Sequence, residues 1–148
     1  MKLYLVRHGD ALPEELDPER PLSEQGQKEI DRLAEILVQR GLSVGTILHS
    51  GKTRAAQTAE RLAAKLLPAQ GVLASDNLAP LDPVRPMADR ITAMADDTMI
   101  VGHLPFLGKL VSLLVAGKED SNAVNFKSGG LVCLKRGENR NWTIDWTV

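Results

Sequence analysis

The chain has 148 residues, 43% of them hydrophobic and 25% charged, the length and balance of one soluble globular domain. Its 18 lysines and arginines against 19 aspartates and glutamates leave a net charge of −1, which disfavours a nucleic-acid binder or a membrane-surface protein, since either would carry a basic excess. A single cysteine, Cys133, allows no internal disulfide and no structural zinc cluster.

The first apolar run, Leu3-Tyr4-Leu5-Val6, is followed at once by Arg7 and is too short for a signal-peptide core. No later stretch has the length to cross a bilayer. The expectation is a soluble, cytoplasmic protein with its cysteine reduced. Lys2 to Val6 reads as a buried strand that stops at Arg7-His8-Gly9. An acidic, proline-bearing loop follows from Asp10 to Pro21, and Ser23 is suited to cap a helix whose first turn holds Glu24. Ile30, Leu33, Ala34, Leu37 and Val38 recur at helical spacing until Gly41. Thr46 to Leu48 forms a second strand ending at His49-Ser50-Gly51, and Ala55, Ala59, Leu62 and Leu66 share one face of a second helix that Pro68 closes.

Val72 to Ala74 is a short third strand, and the proline-rich segment Asn77 to Pro86 a structured loop. A helix is expected from Met87 to Ala95, then a fourth strand from Thr98 to Val101 ending at Gly102-His103. Pro105 to Val115 is apolar on nearly every side, the pattern of a buried helix. Lys118 to Asn122 reads as a solvated charged turn. Leu131 to Leu134 and Trp142 to Val148 are expected strands, joined by a hairpin over Gly137 to Asn141. Four residues apart, Trp142 and Trp146 would share one strand face and pack on the sheet. Strands alternating with helices imply an α/β sandwich with parallel first strands, and the absence of repeats and linkers implies one domain over 1–148.

Three strand ends carry the chemistry. The first delivers Arg7 and His8, the second His49 and Ser50 with Arg54 a turn later, and the fourth His103. Open parallel sheets bind ligands outside the carboxyl ends of their strands, where helices also begin and aim their N–H groups. Two arginines and two or three histidines collected there suit a compact anion such as phosphate, because each guanidinium can grip two oxygens. His8, His49 and His103 could instead form a three-histidine zinc site. Arg7 and Arg54 beside those histidines repel a cation, so the anion reading is preferred.

These residues resemble the histidine phosphatase, or phosphoglycerate mutase-like, superfamily. Arg7-His8-Gly9 is similar to its signature after the first strand, Leu22-Ser23-Glu24-Gln25-Gly26 to its Leu-Thr-x-x-Gly helix start, Ser50 to Ala59 to its Ser-Pro-x-x-Arg-Ala-x-Gln-Thr-Ala element, and Val101-Gly102-His103 to its second-histidine strand. Four motifs fall in order over most of the chain. The short length, the Arg-His-Gly-Asp-Ala start and His103-Leu104-Pro105 look most like bacterial phosphohistidine phosphatases within that superfamily.

The resemblance implies a three-layer sandwich with a mostly parallel central sheet flanked by helices, and a phosphatase that needs no cofactor. His8 would attack phosphorus and be transiently phosphorylated. Arg7, Arg54 and His103 would hold the equatorial oxygens in place of a metal, with Gly9, Ser50 and Leu104 lining the phosphate site. Gly51 stands where the family has proline, a change of loop stiffness. Many relatives place a glutamate proton donor between the arginine and the second histidine, but Asn77 to Pro83 holds none. Asp82 is the candidate donor and Asp10 the second, each also readable as a turn residue.

A missing acid favours a substrate with a good leaving group, since protonating an alkoxide is worth roughly 100-fold or more. Residues 55–102 also leave little room for a lid. Both point to a histidine-phosphorylated protein, such as a phosphotransfer domain, as substrate. A small-molecule phosphomonoesterase is the alternative, and a non-catalytic phosphate-binding module a weaker one. A monomer is the simplest expectation.

Overall fold

The first strand, β1 (Lys2–Arg7), shows how the layers arise. Alternate side chains point to opposite faces, so Leu3 and Leu5 enter one apolar cluster while Tyr4 and Val6 enter another. The computed structural model describes Met1–Val148 and continues as α1 (Glu24–Gln39), β2 (Thr46–His49), α2 (Thr53–Leu66), β3 (Val72–Ala74), α3 (Arg85–Thr92), β4 (Thr98–Gly102), α4 (Phe106–Ala116), β5 (Leu131–Arg136) and β6 (Trp142–Thr147). The six strands form one sheet in the order β3-β2-β4-β1-β5-β6. The first four run parallel, and β5 pairs antiparallel with both β1 and β6. Helices α1 and α2 cover the face carrying Tyr4, Val6, Ile47, Met99 and Val101, and α3 and α4 cover the face carrying Leu3, Leu5, Leu48 and Ile100. The expected three-layer sandwich with a mostly parallel sheet is the fold observed. No helix is long and apolar enough to cross a membrane.

Local chemistry sets the helix ends. Ser23 Oγ accepts the Gly26 N–H at 3.0 Å, capping α1. Gly41, at φ +68, takes the left-handed conformation that ends it. Helix α3 begins at Arg85, two residues before the expected Met87, because Pro86 occupies its first turn, where a missing N–H costs nothing. It stops at Thr92 rather than Ala95. Helix α4 buries Phe106, Leu107, Leu110, Val111 and Leu113, as its uniformly apolar sequence requires.

The two tryptophans do not share a face. Trp142 enters the cluster beneath α3 and α4, whereas Trp146 packs on the opposite side, its ring 6.1 Å from that of Tyr4 and 3.9 Å from the Arg40 guanidinium carbon. The reason is a register shift. Leu134 faces Ile144 but Cys133 faces Trp146, so Asp145 is an extra residue in β6 and the in-out alternation inverts across it.

Candidate active site

The strand order places β4 between β1 and β2, so the carboxyl ends bearing His8, Ser50 and His103 become neighbours. Arg7 aligns with Gly102 and His49 with Val101. The His8 and His103 rings lie 5.0 Å apart between centroids at 54°. Arg54 is reached from the first turn of α2, which starts only four residues after β2 ends.

His8 is held for one task. Its Nδ1 lies 2.7 Å from the Gly9 carbonyl oxygen. A carbonyl only accepts, so Nδ1 carries the hydrogen and Nε2 keeps its lone pair. Burial pushes the His8 imidazole below its ordinary 6.5. The Gly9 carbonyl works the other way, and the charges of Arg54, Arg7 and Arg20 lower it further. The ring is therefore neutral and nucleophilic at physiological pH. Its backbone is tied on both sides, the N–H donating to Gly102 at 3.0 Å and the carbonyl accepting from Gly129 at 3.2 Å.

The cations around it have no acidic partner. The protein's two ion pairs, Lys2–Asp145 and Arg61–Asp31, lie elsewhere. Arg7 donates through Nη1 to the Phe126 carbonyl at 3.1 Å, while the buried Nε of Arg54 and the buried Nδ1 of His103 have no partner at all. His103 is 2% exposed. Burial first, then the facing His8 and the charges of Arg54, Lys52 and Arg20, push it down to about 3. Buried polar atoms without partners cost free energy unless a ligand supplies them. Donors of this kind, with the N-terminal ends of α2 and α4 facing the same edge, suit an oxyanion.

Other expected residues fall as follows. A Cβ on Gly9 would stand 2.8 Å from the Gly26 carbonyl oxygen, so this glycine permits close packing of the loop on α1. Ser50 Oγ lies 2.6 Å from His103 Nε2. Leu104 is exposed beside His103 and, with Lys109, Glu119, Asp120, Asn122 and Phe126, lines a groove next to the site. The charged turn after α4 thus borders that groove. His49 uses its Nδ1 locally, accepting the Gly51 N–H at 3.0 Å, and no three His, Cys, Asp or Glu side chains are grouped as metal ligands. Asp10 accepts the Ser23 hydroxyl at 2.6 Å, and Asp82 accepts the Ala79 N–H at 3.0 Å. Both aspartates hold turns.

Several residues beyond the expected ones act at the site. Arg20 lies in the loop before α1 in a left-handed conformation, φ +50, with Nε donating to the Leu12 carbonyl at 3.1 Å. Its charge bears on His8, Arg54 and His103. As the one cation in the acidic segment from Asp10 to Pro21, it left a signal that could have been read. Glu29 has no such signal. Its Oε1 accepts both the Asp10 N–H at 2.8 Å and the Ser128 hydroxyl at 2.9 Å, joining the loop after His8 to the segment before β5. Thr58 accepts the Gly9 N–H at 3.2 Å and donates to the Arg54 carbonyl at 2.8 Å, and Gln57 accepts the Leu22 N–H at 2.7 Å. The helix bearing Arg54 therefore also braces the nucleophile loop. A Cβ on Gly26 would collide with the Asp10 carbonyl, which explains glycine at the close of the Leu22–Gly26 motif. Cys133 is buried in β5, its thiol pushed up to about 11 by burial, and is no nucleophile.

The sequence pattern of the histidine phosphatase superfamily (branch 1) matches residues 3–79. The chain belongs to that family. An uncharacterized protein of Picosynechococcus sp. is 35% identical over 148 residues, spanning 95% of this chain and 88% of that protein. Phosphohistidine phosphatase SixA of Escherichia coli is 28% identical over 154 residues, spanning 100% of this chain and 93% of its own. The solved structure of the protein histidine phosphatase SixA complexed with tungstate superposes with a TM-score of 0.88 at 25% identity, covering 100% of this chain and 96% of that one. This member of the superfamily is a phosphatase with the phosphoglycerate mutase-like fold of SixA, to which it is near in both sequence and structure.

Proposed function

We propose that this phosphatase removes phosphate from phosphohistidine on a protein, in two steps and without a metal. In the first, the His8 Nε2 lone pair attacks phosphorus. The bond from phosphorus to the substrate imidazole breaks, and the departing ring keeps that electron pair as a neutral imidazole with solvent protonating its second nitrogen. In the second, water attacks phosphorus, the phosphorus–Nε2 bond breaks, and phosphate leaves with the water oxygen. Arg7, Arg54 and His103 hold the three equatorial oxygens, where charge concentrates in the transition state. The tungstate carried by the SixA relative is a tetrahedral oxyanion of the same kind.

The observation that carries the substrate reading is the state of the two carboxylates. Asp10 and Asp82 are each committed to a turn hydrogen bond, so neither of the two candidate donors stands free to protonate an alkoxide. An imidazole leaving group needs far less protonation. Helix α2, strand β3 and helix α3 take up most of the chain between Arg54 and β4, and no lid insertion covers the cleft against a large substrate.

The test is phosphate release from a histidine-phosphorylated carrier protein and from p-nitrophenyl phosphate in EDTA, for wild type and His8→Ala. The expected result is release from the carrier that vanishes in the variant. Release from the ester alone moves the substrate to small molecules, and release from neither makes the protein a phosphate-binding module.

A further inference from the structure

His103 closes β4 with one ring nitrogen satisfied and the other not. Nε2 lies 2.6 Å from Ser50 Oγ, and Nδ1 is buried without a partner in a residue 2% exposed. The two neutral tautomers offer an arriving phosphoryl group opposite things. A bare Nδ1 would turn a lone pair toward oxygens that only accept, whereas an Nδ1–H would donate to them. Ser50 stands where the choice is made. Its oxygen accepts the Lys52 backbone N–H at 3.3 Å, which orients the hydroxyl and leaves its hydrogen available to Nε2. Burial and the surrounding positive charge keep the ring neutral, so there is one ring hydrogen to place. Pairing of β2 with β4 through His49 and Val101 fixes the distance between the two side chains.

We propose that Ser50 is a positioning residue for His103: its hydroxyl donates to Nε2, holds the ring as the Nδ1–H tautomer, and so presents that hydrogen to a phosphoryl oxygen. This deepens the reading of His103 as a phosphoryl-binding group and rests on it. On this account the serine acts through the second histidine, and the tight turn at Gly51, φ +88, serves to bring the Lys52 N–H back onto Ser50. The unpartnered Nδ1 is then a donor kept ready, with its desolvation already complete before the ligand arrives.

Long-range proton–nitrogen NMR on protein labelled with nitrogen-15 histidine identifies which nitrogen of His103 carries the hydrogen, and titration with inorganic phosphate measures binding. Wild type is expected to show Nδ1–H. In Ser50→Ala the hydrogen redistributes to Nε2, phosphate binding weakens roughly tenfold, and kcat falls more than KM rises, while Ser50→Thr restores all three. An Nε2–H ring in wild type overturns the proposal, as does a His103 spectrum unchanged by Ser50→Ala. Should the alanine variant fail to fold, the wild-type spectrum and the threonine variant decide it. A wild type that shows Nδ1–H and binds phosphate but releases none from any substrate upholds the role of Ser50 and defeats the proposed reaction.

Discussion

The layer formed by α1 and α2 reaches the catalytic edge through polar side chains, whereas α4 in the other layer meets the second histidine through backbone, the Leu107 N–H donating to the His103 carbonyl at 2.9 Å. In the first, Arg54, Gln57 and Thr58 come from one helix and Gly26 and Glu29 from the other; Thr58, Glu29 and Gln57 tie down Gly9, Asp10 and Leu22, and Gly26 packs against Asp10. In the second, α4 follows His103 directly and then turns into the apolar core, with Phe106, Leu107 and Leu110 fully buried. One layer aims the nucleophile, and the other supports the sheet beneath it. The difference shows that two letters of the Ser50–Ala59 motif serve other segments of the site, Thr58 holding Gly9 and Gln57 holding Leu22.

Substitutions separate the two layers, with the largest effects at the reacting groups. His8→Ala is expected to reduce turnover by roughly 10⁴-fold or more, and Arg54→Ala by roughly 10²–10³-fold through lost stabilisation of the oxyanion. Arg54→Ala should leave thermal stability near wild type or above it, since it removes a cation without an acidic partner. A large loss of stability in Arg54→Ala would show that the arginine is structural.

Within the aiming layer, Thr58→Val strips the partner from the buried Gly9 N–H. It should cost about 1–3 kcal/mol in denaturant unfolding and lower kcat as well. The contrast in the supporting layer is Leu110→Ala, expected to cost about 2–5 kcal/mol while the folded fraction keeps its kcat. If Leu110→Ala lowered kcat of the folded enzyme as much as Thr58→Val, the division of labour would be wrong.

Acid sharpens the same comparison. His8 and His103 both sit below 6.5 in the folded protein, so the unfolded chain takes up protons first as the pH falls. Stability is fully present above pH 6.5 and declines from there toward about 3, where His103 titrates in the folded state. Replacing His103 with Asn should flatten that decline in melts between pH 7 and 4. The acid limb of kcat/KM should fall below pH 6.5, because His8 must be neutral to attack. The smallest effects belong to the surface. Asp31→Ala breaks the exposed pair with Arg61 and should change stability by less than about 1 kcal/mol. Asp82→Ala, which removes only a turn acceptor, should leave phosphohistidine hydrolysis within twofold, a range too small for loss of a proton donor.

Local sequence determined the elements and the reacting groups. Periods of two and of 3.6 marked strands and helices, Ser23 and Gly41 marked helix ends, and Arg7, His8 and His103 could be read as strand-end residues because that position depends only on neighbours in the chain. The tertiary structure alone decided what those groups face. Placing β4 between β1 and β2 brought the two histidines to 5.0 Å. It set Glu29 between Asp10 and Ser128 and tied both aspartates to turns. One extra residue, Asp145, inverted the alternation that would have put Trp142 and Trp146 on one face. Each of these depends on contacts between segments far apart in the chain. Such contacts are set by how the layers pack, and no local pattern of side chains records them.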